Sequence, residues 1–148
     1  MASDLPGAIL FACSQNVIRS PMAENLMRHF YGHKVYVQSC GVRPGETDPF
    51  VVAVMDEMGI DMKKHRPRSF EDLDDSSFDL IISLAPEAHH KAMEMTRTMA
   101  VEVEYWPTMD PSIVTGSRDQ ILDAYRDVRD GILKRLRARF GTFAARGV

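Results

Sequence analysis

Cysteine is scarce in this chain, two in 148 residues, and tryptophan occurs once. Two cysteines cannot build the disulfide framework that staples small secreted domains, so a reducing cytoplasm is the simplest compartment. No apolar run approaches the roughly 18 residues of a membrane span, and no membrane partner is expected. Basic residues hold no excess: 18 Lys and Arg stand against 21 Asp and Glu, a formal net charge of -3. That balance does not favour nucleic acid. The opening Met1-Ala2-Ser3-Asp4 lacks the basic start of a secretory signal. Internal repeats, low-complexity tracts and linkers are missing too. Residues 1–148 are therefore expected to form one domain, large enough to bury about two thirds of its unfolded surface.

What is present is an alternation of strands and helices. Gly7 to Ala12 is a short continuous apolar run, the pattern of a buried strand. Pro21 suits a first helical turn, and Gly32 a helix stop. Val35 and Val37 alternate with polar residues in a second strand ending near Ser39-Cys40-Gly41. Asp48-Pro49 reads as an N-cap and first-turn proline, opening a helix through Val51, Val52, Met55 and Met58 to Gly59. Phe78 to Leu84 is a third strand, and Glu87 to about Arg97 a helix. Val101, Val103 and Tyr105 alternate with Glu102 and Glu104 in a half-exposed fourth strand. Ser117-Arg118-Asp119-Gln120 fits a capping box ahead of a long last helix. Four βα units in a row predict a parallel sheet with helices on both faces.

The chemistry concentrates at the first strand-to-helix junction. Five residues separate Cys13 from Arg19, and Ser20-Pro21 follows. A loop there aims backbone N–H groups at one point, and the helix start adds partial positive charge. All of this, with Arg19 close by, favours negative charge on the sulfur. A thiolate can attack phosphorus in line, and the planar fork of Arg19 can hold two oxygens, as lysine cannot. A buried structural cysteine at a strand end would share the bare spacing. The strand before, the helix after and Asn16 within the loop favour the anion cradle. Asp110-Pro111 is a candidate proton donor, since proline restricts Asp110 to extended backbone. The same dipeptide is also a common turn, and at Asp48-Pro49 it reads as a cap.

Cys13 to Pro21, with Met22-Ala23-Glu24, resembles the phosphate-binding loop of low-molecular-weight protein tyrosine phosphatases. Ser39-Cys40-Gly41, Asp48-Pro49, Gly59-Ile60-Asp61, His65-Arg66-Pro67-Arg68 and Asp110-Pro111 extend the resemblance over nearly the whole chain. It implies a three-layer α/β/α fold with a four-stranded parallel sheet, order 2-1-3-4, and the loop after strand one at the topological switch point. It also implies Cys13 as nucleophile, Arg19 as phosphate clamp and Asp110 as general acid and then base. Ser14, Gln15, Asn16, Val17, Ile18 and Arg19 would bind phosphate, and Ser20, Ser39 and His65 would brace the loop with Asn16. Substrates would be phosphorylated proteins or small phosphoesters, and inorganic phosphate a product. No metal or other cofactor is expected: His89 and His90, behind Glu87, lack further ligands at useful spacing and read as helix surface. The basic run Lys63, Lys64, Arg66 and Arg68 reads as a solvated loop in preference to a rim attracting acidic phosphoesters.

Three departures from that family matter. Related eukaryotic members carry two tyrosines after the Asp-Pro, where this chain has Ser112-Ile113. The loop Val42-Arg43-Pro44-Gly45-Glu46-Thr47 is short and has no aromatic. Ala85 stands where many members have an aspartate. Trp106 and Phe50 are the remaining candidates for an aromatic wall. Arsenate reductases of the same fold use the same loop thiol and relay oxidation through further cysteines. Here Ile18 replaces the second loop cysteine of many members, and only Cys40 is left. It reads as a small buried residue, with a Cys13–Cys40 disulfide left open. Besides a phosphatase, two readings therefore stand: an arsenate reductase, and a non-catalytic phosphate-sensing or interaction module.

Overall fold

A computed structural model describes residues 5–74 and 77–141. Four parallel strands form one sheet in the order β2-β1-β3-β4. They are β1 (Ala8–Cys13), β2 (Tyr36–Gly41), β3 (Leu80–Ser83) and β4 (Glu102–Tyr105). The helices are α1 (Arg19–Tyr31), α2 (Pro49–Asp56), α3 (Pro86–Met95) and α4 (Arg118–Phe140). Right-handed crossovers send α1 and α3 to opposite faces. α1 packs on β1, β2 and α4, α3 packs on β1, β3 and β4, and α2 lies against α4. The three-layer α/β/α expectation and its strand order are both met.

Local chemistry explains the element ends. Asp48 accepts from Phe50 N at 2.7 Å and caps α2, with Pro49 at the first position. Ser117 and Gln120 close the expected capping box on α4. α2 stops at Asp56, short of the Met58 and Gly59 anticipated from periodicity. A turn from Met55 to Gly59 replaces its last residues, and Gly59 takes a φ of 76°. α1 starts two residues before Pro21, and α3 starts at Pro86.

Burial holds the layers together. Every residue of β3 is buried, as are Ile9 to Cys13 of β1. α4 contributes Leu122, Tyr125, Val128, Ile132, Leu133, Leu136 and Phe140 to the core, each worth about 1.5–3 kcal/mol when fully buried. β4 is half-exposed, as its alternation implies. Between α2 and α4, Arg126 and Arg129 grip Glu57. Their hydrogen bonds bring its carboxyl down to about 2. Tyr125 donates to Asp48 Oδ2 at 2.6 Å and ties α4 to the cap of α2. Among the described residues no helix is long and apolar enough to cross a membrane.

Candidate active site

Residues 14–18 join the end of β1 to the start of α1 and curl against the segment after β2. Val42 N donates to Cys13 O and Ser14 O, Arg43 N to Ser14 O at 3.1 Å, and Gly45 N to Gln15 O at 3.0 Å. These bonds tie the carbonyls of Cys13, Ser14 and Gln15 to the segment after β2. A Cβ on Gly41 would sit 2.7 Å from Asn16 N and 2.8 Å from Ser14 O. Only glycine lets β2 approach the loop this closely. Asn16 carries a φ of 58°, the left-handed conformation asparagine tolerates best among non-glycine residues.

The Cys13 sulfur lies 2.9 Å from Ser20 Oγ and 3.4 Å from Ser20 N, the second residue of α1. Ser20 Oγ also accepts from Asn16 Nδ2 at 3.0 Å and donates to Cys40 O at 3.2 Å. A serine has one proton to give. With Cys13 as thiol, the sulfur donates to Ser20 and Ser20 keeps Cys40 O. With Cys13 as thiolate, the Ser20 hydroxyl is free to turn to the sulfur.

Asn16 is fully buried and fully bonded. Its amide donates to Ser20 Oγ and, at 2.9 Å, to Ser39 Oγ. Its side-chain oxygen accepts from Arg68 N at 3.0 Å, and its backbone oxygen meets His65 Nε2 at 2.8 Å. Ser39 Oγ in turn donates to the buried carboxylate of Glu24 at 2.5 Å, which also holds Arg28 at 2.7 Å. The four bracing residues anticipated from sequence thus meet in one network. Glu24 and Arg68 join it unannounced. Arg68 turns inward, with Nε donating to Ser39 O at 2.9 Å and its guanidinium also bonded to Gln38. That corrects the reading of the whole basic run as solvated.

Cys13, Ser14, Gln15, Val17, Ile18, Arg19, Arg43, Glu87, Asp110 and Ser112 line a cleft of about 270 Å³. This falls below the ~300–1,000 Å³ usual for drug-sized ligands, so it suits a phosphate-sized group with the rest of a ligand outside. Asn16, expected to bind phosphate, does not line the cleft; it braces from behind. Arg19 is nearly buried, and its Nη1 donates to Thr108 O at 2.9 Å, two residues before Asp110. Asp110 caps the short turn Pro111–Ile113 and accepts from Ser112 N at 2.9 Å and Ser112 Oγ at 2.7 Å. The turn reading of this dipeptide is seen directly, and the residue expected to donate a proton lines the cleft.

A family model described as low molecular weight phosphotyrosine protein phosphatase matches residues 8–144. The chain belongs to that family. Its relatives include proteins named for phosphatase activity and proteins named for arsenate reduction. The low molecular weight protein-tyrosine-phosphatase of Streptomyces coelicolor is 32% identical, over 83% of this chain and 80% of that protein. A glutaredoxin arsenate reductase of Synechocystis is 29% identical, over 86% of this chain and 92% of that protein. A solved arsenate reductase in its phosphate-binding state superimposes with a TM-score of 0.73 at 27% identity, over 88% of this chain and 94% of that one. Further curated relatives carry the name arsenate reductase.

The rim of the cleft is ionic. Arg43 binds Glu87 through two hydrogen bonds of 3.0 Å, and both line the cleft together with Asp110 and Ser112. The Arg43 guanidinium holds the Glu87 carboxyl below its ordinary range, with Ser14 adding to the effect. No aromatic side chain lines the cleft among the described residues. Trp106 is buried against Phe11 and Phe140, and Phe50 packs on Tyr125 beneath Arg118. Sequence reasoning missed Arg43 and Glu87, which lie 44 residues apart; only the placement of Glu87 in the first turn of a helix after strand three hinted at it. His89 is corrected as well. It is partly buried, bonded through Nδ1 to Ser83 Oγ at 2.9 Å and stacked on Tyr105, while His90 is exposed.

Cys40 is fully buried, and burial pushes its thiol well above the ordinary range, with Cys13 adding to the rise. Cys13 pairs with Gly41 and Cys40 with Ala12. Neighbouring side chains alternate across a sheet. The Cys40 sulfur therefore projects from the face opposite the Cys13 sulfur.

Proposed function

We propose that this chain is a cysteine-dependent phosphomonoesterase acting on protein tyrosine or aryl phosphates through a phosphocysteine. The observation that carries this reading is a single thiol at the floor of a phosphate-sized cleft with a carboxylate at its mouth. Cys13 attacks phosphorus as the bond to the leaving oxygen breaks, and Asp110 gives that oxygen its proton. A positioned general acid is worth about 10²–10⁴-fold. Arg19 neutralises charge on the nonbridging oxygens, and Thr108 fixes its aim. Water then attacks the phosphocysteine, Asp110 takes its proton, and inorganic phosphate leaves with Cys13 restored as thiolate.

Arsenate reduction is the second reading, favoured by the names of several relatives. Two electrons are required, hence two thiols. The register that sets Cys40 and Cys13 on opposite faces favours a separate thiol reductant as the source of the second thiol. It would attack the Cys13 sulfur of the arsenic adduct, release arsenite and leave a mixed disulfide. Phosphate binding alone, the third reading, requires neither the thiol nor the carboxylate. Hydrolysis of a chromogenic aryl phosphate by wild type and by Cys13→Ser tests the proposal. Equal rates would sink it.

A further inference from the structure

A second cleft, lined from Thr47 four residues after Arg43 of the first, has no part in the proposed chemistry. Thr47, Lys63, Lys64, His65, Arg66 and Pro67 line its volume of about 690 Å³. Lys63, Lys64 and Arg66 are exposed. Among the described residues, none of the three is in an ion pair, whereas Arg28, Arg43, Lys91, Arg126, Arg129 and Arg139 all are. Asp61, close by in sequence, uses its Oδ1 on Lys63 N at 2.9 Å. The chain has 21 acidic residues against 18 basic ones. No carboxylate among the described residues lines the cleft with these three cations, so an added anion would meet positive charge that no ion pair neutralises.

The segment after β2 connects the two clefts. Arg43 lines the first and Thr47 the second, and Gly45 between them bonds Gln15 of the loop. Four residues of chain span at most about 14 Å. His65 reaches from the second cleft to the back of the loop at Asn16 O. A phosphorylated side chain fills the small first cleft, so anything reaching the second must continue along a chain. Among the described residues the second cleft has no Phe, Tyr or Trp side chain on which a base could stack, and its one imidazole, His65, is bonded to Asn16 O.

We propose that the Lys63–Lys64–Arg66 cleft docks an acidic segment of a phosphorylated protein whose phosphoresidue occupies the Cys13 cleft. This rests on the phosphatase reading. Acidic side chains within about four residues of the phosphoresidue would reach the cations. The cations would speed encounter and select among phosphoproteins without touching the chemistry.

The test measures binding of two phosphotyrosine peptides of equal length to Cys13→Ser protein, one flanked by Asp and Glu, one by Ser and Gly. The acidic peptide should bind about tenfold tighter at low salt, an advantage that shrinks at ~1 M salt, where the Debye length is about 3 Å. It should vanish when Lys63→Ala, Lys64→Ala and Arg66→Ala are combined. Equal binding of the two peptides overturns the proposal, as does an advantage that survives the triple substitution. So does displacement of the acidic peptide by an RNA oligonucleotide at equal concentration. Turnover of a small aryl phosphate by the Cys13 protein is read separately. Its absence removes the phosphatase reading, while the peptide comparison still decides whether the cleft takes acidic chains.

Discussion

The floor and the rim of the cleft are built on opposite principles. At the floor, Asn16, Ser20, Ser39 and Glu24 are buried, and each holds its hydrogen-bond partners. Moving any one of them leaves a buried polar group unpaired, at about 1–3 kcal/mol. At the rim, Arg43 and Glu87 are exposed and pair with each other. An exposed pair is worth at most about 1 kcal/mol, and its side chains can swing away. The floor, with Asp110 at the mouth, therefore fixes what reaction is possible, and the Arg43–Glu87 pair is free to vary with the substrate.

Substitutions can break or sharpen this contrast. The largest effect belongs to Cys13→Ser, which should lower turnover of an aryl phosphate more than about a thousandfold, since it removes the nucleophile itself. Asp110→Asn should cost about 10²–10⁴-fold, most for esters with poor leaving groups, as steady-state rates across a leaving-group series would show. A flat loss across that series would assign Asp110 to turn capping alone. Asn16→Ala should destabilise the fold by roughly 1–3 kcal/mol in denaturant melts and lower kcat with it, because Ser20 and Ser39 each lose a donor. Glu87→Gln should change aryl phosphate turnover less than about threefold, which kcat/KM would register. A large loss there would move the rim into the machinery and undo the contrast.

A control far from both regions is Glu57. Arg126 and Arg129 lower its carboxyl to about 2, against an ordinary value of 4.5. A depressed carboxyl stabilises the fold above the unfolded value and stops doing so as pH falls through the folded one. Its contribution should fade between about pH 4.5 and 2, and Glu57→Gln should flatten that part of the stability profile without changing turnover. The pair is partly exposed, so salt should shrink the difference.

Much of the floor was legible in the sequence because it is local. An apolar run, a cysteine, five residues, an arginine and a proline fall within one strand–loop–helix stretch. Helix caps at Asp48 and Ser117 were readable for the same reason. What escaped depends on which distant segments the sheet brings together. Arg43 meets Glu87 only because β2 and β3 flank β1. Arg68 turns inward because Ser39 O and Gln38 lie within its reach, and His89 because Ser83 lies beneath α3. The separation of Cys13 from Cys40 is one of register, a single residue along β2, and a one-residue slip changes the face of a side chain.

The central claim is that Cys13 takes up phosphate covalently and needs no other thiol of this chain. It is tested most directly by acid-quenching the Asp110→Asn protein during turnover of an aryl phosphate and weighing the peptide that contains Cys13. The expected result is a phosphate adduct on that peptide, absent in Cys13→Ser, with phosphate released by the wild type in reductant-free buffer. No adduct and no released phosphate, with arsenate driving consumption of an added thiol instead, would contradict it.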